Sequence, residues 1–302
     1  MLERTQVLMG TYVKITLPKE EAPSLQKSFD ILRAVEHSLS SYDHQADIYR
    51  LNHNRTAQLT PYSYEALVLS KKYYDRSDGY FDIAVGSITK ELYRFGEGER
   101  LVSDEDLTNA NTDIRGLHFN RKKAWLDEGT VIDLGGMGKG FGVDKVAQYL
   151  HEQNITQGVI ALSGDIRCLD VCNMAIQNPF GEGIVAEFIT KEPNTAISTS
   201  GNYRRYIEST KHNHLIDPKK RASQQLFASI TLLSHGDNSA IDAYATAASV
   251  MPLKKARSFL DSLDVGYVLI TNSGDQYVSD NLGEFVEQLR FTQRVPFNCE
   301  TE

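Results

Sequence analysis

At 302 residues, of which 41% are hydrophobic, the chain is long enough to bury a core without covalent staples. Its 32 Lys and Arg against 40 Asp and Glu leave a formal charge of −8, which argues against nucleic acid as a partner. The first residues lack the basic start and apolar run of a secretory peptide. No apolar stretch approaches the length of a membrane span, so we expect none.

The first half of the chain predicts a strand followed by helices. In order, the patterns indicate a strand over 7–17, helices over 24–39 and 63–76, a short helix capped by Ser103, and short strands around Leu117 and Ala124. Gly79 is the expected stop of the second helix, and residues 80–82 are expected in a loop.

A glycine cluster follows an expected strand over 130–133. Residues 134–142 contain five glycines, and 143–150 has the apolar period of a helix. Backbone N–H groups and a helix N-terminus in such a loop can face phosphate. The spacing fits neither the dinucleotide-binding nor the P-loop pattern, so a tight structural turn is the alternative.

The second half predicts an antiparallel region and a closing βααβ unit. The expected strands are 159–162, 174–176, 184–189, 196–199 and 203–207, followed by strand 227–233, helices 240–250 and 254–263, and strand 267–271. Because no linker or repeat separates the two halves, we expect residues 1–302 to form a single domain with one continuous core.

Asp242 and Thr246 are candidate metal ligands. They lie four residues apart in a predicted helix, so both side chains share one face. Magnesium prefers oxygen ligands and often takes phosphate oxygens as well. A solvated surface pair is the alternative interpretation.

His214 is a candidate catalytic residue. Pro218 should end the strand or fix a turn in this segment, and a histidine held there could orient or deprotonate an attacking hydroxyl. Together with His212 it could instead bind zinc, although no further ligand is evident, or it could be an ordinary loop histidine. The loop aromatics Tyr42, Tyr80 and Phe81 could stack on a planar ring or pack in the core.

The three cysteines match neither a zinc motif nor a redox motif. Because Cys168, Cys172 and Cys299 cannot form a fully paired framework, we expect reduced thiols and a reducing compartment.

Seven segments, in this order, resemble the ApbE-type FAD:protein FMN transferase family. They are LMGT at 8–11, SYDHQADIYRLN at 41–52, DGYFDIAVG at 78–86, DLGGMGKG at 133–140, STSG at 198–201, HLIDP at 214–218 and DAYATA at 242–247. The resemblance implies an α+β fold of two closely packed α/β lobes, with antiparallel-rich sheets and an FAD cleft between them.

The family activity implied is Mg²⁺-dependent transfer of FMN from FAD to a threonine hydroxyl of an acceptor redox flavoprotein, with release of AMP. Mn²⁺ could replace Mg²⁺. The alternatives are a Mg²⁺-dependent FAD pyrophosphatase that yields FMN and AMP, and a flavin carrier without turnover. The cytoplasm is the expected location, and export after removal of a leader is the alternative.

The matching positions imply the site residues. The metal ligands are Asp242, Thr246, the backbone carbonyl of Gly138 and the region of Ala245. The FAD contacts are Met9, Tyr42, Tyr80, Phe81, Asp82, Gly135, Gly136, Lys139, Phe141, His214 and Leu215. His214 or Asp217 is the implied base. Residues 219–221 depart from the family pattern, which puts local contacts to FAD or to the acceptor in doubt.

Overall fold

The structure, a computed structural model, describes residues 1–203 and 205–292. The helices are α1 (Ala22–Leu39), α2 (Asp47–Asn54), α3 (Pro61–Arg76), α4 (Asp104–Asn109), α5 (Gly138–Glu152), α6 (Asn238–Ser249) and α7 (Leu253–Asp261), and Ser87–Leu92 forms a π-helix. None of the described helices is long and apolar enough to cross a bilayer.

Antiparallel pairing dominates the strands, as the sequence predicts. The strands are β1 (Leu2–Leu8), β2 (Thr11–Leu17), β3 (Thr56–Gln58), β4 (Leu117–Phe119), β5 (Lys123–Leu126), β6 (Val159–Leu162), β7 (Asp165–Cys168), β8 (Asn173–Gln177), β9 (Ile184–Thr190), β10 (Thr195–Gly201), β11 (Ile216–Asp217), β12 (Ala222–Ser223), β13 (Phe227–Ser234), β14 (Gly266–Thr271), β15 (Gln276–Val278) and β16 (Val286–Phe291). Eight form a main sheet in the order β1-β2-β6-β7-β10-β13-β14-β15.

Helices pack on one face of the main sheet and a smaller sheet packs on the other. Apolar residues of α1 and α5 pack with those of β2 and β6, while α6 lies against β10 and β13. The three-stranded sheet β16-β9-β8 contributes Phe188 and Val185 to a cluster with Ile197 of β10 and Val268 of β14. Two further small sheets, β3-β5-β4 and β11-β12, complete the described strands.

The strand predicted over 7–17 is a hairpin of two strands. Met9 and Gly10 both have positive φ, 53° and 68°, and Leu8 pairs with Thr11 across the turn. Two left-handed residues in succession match the twist of flanking strands. The alternation of apolar residues continues through both strands, so it does not reveal that the chain reverses direction between them.

The strand predicted over 130–133 does not form. Its backbone groups bond elsewhere: the Ile132 N–H donates to Asn52 Oδ1 at 2.9 Å, and the Ile132 carbonyl accepts from Asn52 Nδ2 at 2.8 Å. The Asp133 N–H donates to the Ile83 carbonyl at 2.7 Å. An asparagine side chain therefore takes the place of a neighbouring strand.

Two other expectations change. The strand predicted over 203–207 is reduced to one isolated bridge, Tyr206 with Asn213, and residue 204 lies outside the described residues. Cys168 and Cys172 are joined by a disulfide across 6.0 Å between their Cα atoms, so the prediction of reduced thiols is wrong for this pair. The two cysteines lie on either side of the turn that follows β7, and neither this strand nor its turn was predicted from the sequence. Cys299 lies outside the described residues.

Candidate active site

One cavity of about 890 Å³ collects most of the predicted site residues. Its walls include Met9, Tyr42, Tyr80, Phe81, Asp82, Gly135, Gly136, Gly138, Lys139, His214, Leu215, Asp242 and Thr246. These residues come from segments spread along the chain, so the fold brings them together. The volume suits a ligand larger than a single nucleotide base.

Three predicted site residues lie away from this cavity. Phe141 and Ala245 are fully buried in the core, where the Phe141 ring meets Tyr62 edge-on. The carboxylate of Asp217 accepts the backbone N–H groups of Lys219 and Lys220, at 2.9 and 3.2 Å, and so holds a turn.

Gly140 allows the N-terminal ends of α5 and α6 to approach closely. A Cβ atom at this position would lie 2.5 Å from the Asn238 carbonyl oxygen, far inside van der Waals contact. The Gly140 N–H donates to Asp242 Oδ2 at 3.1 Å. The absence of a side chain at Gly140 therefore positions the Asp242 carboxylate against the start of α5.

Lys139 is shared between two buried carboxylates. Its Nζ lies 2.8 Å from Asp165 Oδ2 and 3.3 Å from Asp242 Oδ2, and Asp165 Oδ1 accepts from Ser198 Oγ at 2.6 Å. Burial raises the pKa of Asp242, and the Asp165 charge raises it further against the opposing effect of Lys139. Burial alone would lower the pKa of Lys139, but the two carboxylates raise it above its usual value. Because two carboxylates share a single ammonium group, the cluster can carry excess negative charge, which favours the binding of a further cation.

Asp165 is a site residue that the sequence did not single out. It begins β7, a strand missing from the sequence-based prediction, and pairs there with Ser198 of β10. A hairpin signal at Ser163 and Gly164 could have indicated the strand that Asp165 begins, although not what its side chain contacts.

Thr246 supplies a second oxygen one helical turn after Asp242. Its hydroxyl donates to the Gly136 carbonyl at 3.3 Å, and Gly138, whose carbonyl the resemblance implies as a ligand, lines the same cavity. A carboxylate, a hydroxyl and a carbonyl are the oxygen donors that Mg²⁺ prefers. Among the described residues, no group of three or more His, Cys, Asp and Glu is arranged around a metal position.

His214 presents a neutral imidazole to the cavity. Its Nδ1 lies 3.1 Å from the Arg205 carbonyl oxygen, which can only accept, so Nδ1 carries the proton and Nε2 has the free lone pair. Burial lowers the pKa of His214 to about 4, and the nearby charges of Arg205 and Lys139 lower it too. The imidazole can therefore accept a proton at neutral pH.

A second charged cluster surrounds Tyr42. Lys90 Nζ and Arg205 Nη2 both donate to the Tyr42 hydroxyl, at 2.6 and 2.9 Å, and Lys90 also lies 3.4 Å from Asp133 Oδ2. Burial would raise the pKa of Asp133, but the Lys90 charge and hydrogen bonds hold it below its usual value. The π-helix Ser87–Leu92 presents Lys90 here, and nothing in the local sequence pattern indicated it.

Tyr80 and Asp82 also line the cavity. The Lys219 and Lys255 ammoniums lie 4.1 and 4.6 Å from the Tyr80 ring centroid, and both pair with Asp78. Lys219, where the sequence departs from the family, thus packs on a predicted flavin contact. Burial raises the pKa of Asp82 to about 7, although backbone N–H groups donate to its carboxylate.

Comparison with known proteins gives consistent matches. A model of the ApbE family matches residues 9–269. A Vibrio cholerae protein named FAD:protein FMN transferase is 26% identical over 307 residues, which cover 93% of this chain and 91% of the relative. The fold is similar to a crystallised ApbE protein of Thermotoga maritima, with a TM-score of 0.86, 20% identity and coverage of 95% and 99%.

A flavin transferase ApbE structure from Vibrio cholerae is also similar, with a TM-score of 0.81, 23% identity and coverage of 94% and 98%. The α+β fold predicted from the sequence is confirmed by these two structures, whose low identities limit the likeness to the fold.

Proposed function

The chain belongs to the ApbE family, and on that premise we propose that it is a FAD:protein FMN transferase, which moves FMN from FAD to a threonine hydroxyl and releases AMP. Curated relatives that align over most of the chain carry that name. The observation that carries the proposal is the single cavity in which Asp242, Thr246, Lys139 and His214 meet. The acceptor would be a redox flavoprotein with a target threonine.

The oxygen donors support a divalent cation, Mg²⁺ or Mn²⁺. Asp242, Thr246 and a carbonyl of the glycine loop, that of Gly138 or of Gly136, would hold it. The excess negative charge around Lys139 fits an added cation. When bound, such an ion neutralises charge on the pyrophosphate oxygens. Lys139 stands close enough to Asp242 to share that task.

His214 supplies the proton acceptor. The threonine Oγ would attack the phosphorus on the FMN side, and the bond from that phosphorus to the AMP oxygen would break. The hydroxyl proton passes to Nε2 of His214, whose lowered pKa keeps that nitrogen unprotonated. Because the Asp217 carboxylate holds a turn, we favour His214 over Asp217 in this role.

The location of the protein is a separate question. The Cys168–Cys172 disulfide is typical of oxidising compartments, so it supports the exported alternative over the cytoplasm expected from the sequence.

The test is to incubate the protein with FAD, Mg²⁺ and a candidate acceptor domain, and to look for flavin fluorescence on a denaturing gel. We expect a fluorescent acceptor band that disappears with EDTA, with a threonine-to-valine acceptor, and with Asp242→Ala. Free FMN and AMP without a labelled band would favour the pyrophosphatase. FAD that survives unchanged would favour the carrier.

A further inference from the structure

Strand β8 has an edge that no described strand covers. It is the last strand of the sheet β16-β9-β8 and pairs only with β9. The Thr190 N–H donates to the Cys172 carbonyl, which fixes the phase of this antiparallel ladder. Since hydrogen-bonded and non-hydrogen-bonded pairs alternate, the backbone N–H and C=O groups of Asn173 and Ala175 point away from β9.

These outward backbone groups have no backbone partner within residues 1–203 and 205–292. Both Asn173 and Ala175 are exposed, while the alternate residue Ile176 is buried against the main sheet. An uncovered edge of this kind is a template for another extended segment.

The free edge belongs to the wall of the active-site cavity. Met174, Ala175 and Ile176 line the same cavity as Lys139 and His214. Phe188 and Ile166 extend this wall, so the part of the cavity beside β8 is mainly apolar, with Gln177 as its polar member. The residues that could hold phosphate or a cation lie elsewhere in the cavity.

We propose that the threonine-bearing segment of the acceptor protein binds as an added strand along β8. The proposal rests on the function proposed above, which requires a protein segment to enter the cavity. Backbone bonds to Asn173 and Ala175 would hold the segment in register, and alternate side chains would face the apolar wall and solvent.

The first experiment compares Ala175→Pro with Ala175→Ser. Proline removes the outward N–H at an edge position, where the ladder to β9 does not use it, whereas serine keeps it. With an acceptor that the wild-type protein labels, we expect Ala175→Pro to raise the KM for the acceptor about tenfold. Ala175→Ser should stay near wild type, and the FAD affinity of both variants should be unchanged.

A second experiment does not depend on the folding of a variant. Three versions of a short peptide around the labelled threonine are offered to wild-type protein. One is unmodified, one has every odd backbone amide N-methylated, and one has every even backbone amide N-methylated. We expect labelling of the unmodified peptide and loss of labelling with only one methylated register. Equal labelling of both methylated peptides would overturn the proposal.

Other occupants of the edge give distinct results. A raised KM for FAD in Ala175→Pro with an unchanged KM for the acceptor would assign this wall to FAD. A changed oligomeric state with an unchanged KM would assign the edge to a second copy of the chain. Either result overturns the proposal. Failure of the proposed function itself would instead appear as an unlabelled acceptor with wild-type protein.

Discussion

His214 is the residue whose protonation state limits the proposed reaction. Its pKa is lowered from 6.5 to about 4, so the imidazole stays neutral across the range in which an ordinary histidine becomes charged. We therefore expect kcat/KM for the acceptor at saturating Mg²⁺ to show no loss with a pKa near 6.5, and to fall only on further acidification. A pH–rate profile checks this.

Removing the imidazole tests the same role at neutral pH. We expect His214→Ala to lower kcat by about 10²- to 10⁴-fold, the usual contribution of general base catalysis. FAD affinity, measured by flavin fluorescence, should change little. A normal transfer rate, or an acidic limb with a pKa of about 6.5, would exclude His214 as the base.

Asp165 positions Lys139 rather than contacting the reacting atoms. In Asp165→Asn, Lys139 loses its closest charged partner and is expected to bind Asp242 more tightly, in competition with Mg²⁺. We predict an apparent Mg²⁺ affinity about tenfold weaker, with kcat largely recovered at high Mg²⁺. Activity as a function of Mg²⁺ concentration measures both quantities.

The control for this variant is Ser198→Ala, which removes the hydroxyl that donates to Asp165 but keeps every charge. It should shift the Mg²⁺ requirement less. A loss of kcat in Asp165→Asn that excess Mg²⁺ does not restore would indicate a structural role instead.

At the scale of elements, the contact between α5 and α6 depends on one glycine. In Gly140→Ala the new methyl group would lie 2.5 Å from the Asn238 carbonyl oxygen, so the two helices must separate. We expect a loss of about 1 to 3 kcal/mol in the free energy of unfolding, as for other overpacked sites. Urea denaturation measures the change, and the Mg²⁺ requirement should rise as Asp242 moves.

Gly138→Ala is the matched control, two residues earlier in the same helix. A Cβ atom at Gly138 meets nothing within 4 Å, and its φ is not in the left-handed region. Alanine should therefore be neutral or stabilise the helix by up to about 1 kcal/mol. Equal destabilisation by both substitutions would show that the close approach at Gly140 does not matter.

The sequence predicted elements well wherever burial follows a simple period. Strand β6 (Val159–Leu162) was predicted to the residue and the closing βααβ unit to within two residues at each end, because alternation and helical spacing directly report the buried face. Partners that lie far apart in the chain leave no such local signal. Asn52 replaces a strand beside residues 130–133, and Arg205 reaches Tyr42 only in the folded chain.

The same distinction holds for the candidate site. Spacing and resemblance together led to Asp242, Thr246 and His214, and resemblance led to Lys139; the fold collects all four in one cavity. It did not lead to Asp165, whose position depends on the register between β7 and β10. The orientation of a side chain relative to a cavity depends on how distant elements pack, and no local sequence pattern predicts it.

At the scale of the whole molecule, α1 connects two hydrophobic clusters. Leu32 packs with β2 and α5, while Val35 on the same helix packs with the cluster around α3 and α6. The partly buried Met9 and Ile31 contact both clusters. Because the clusters share these side chains, we expect them to unfold together.

Ligand binding should act on the whole chain through this cooperativity. The cavity draws on residues from Met9 to Thr246, so FAD with Mg²⁺ should stabilise the whole chain in a single thermal transition. At a ligand concentration of about 100 times Kd the gain is about 2.7 kcal/mol, which corresponds to roughly 4 °C in Tm for a chain of this size. Calorimetry with Asp242→Ala, in which the Mg²⁺-dependent part of the shift should vanish, is the control. Two transitions, of which FAD moves only one, would mean that the halves fold as separate domains.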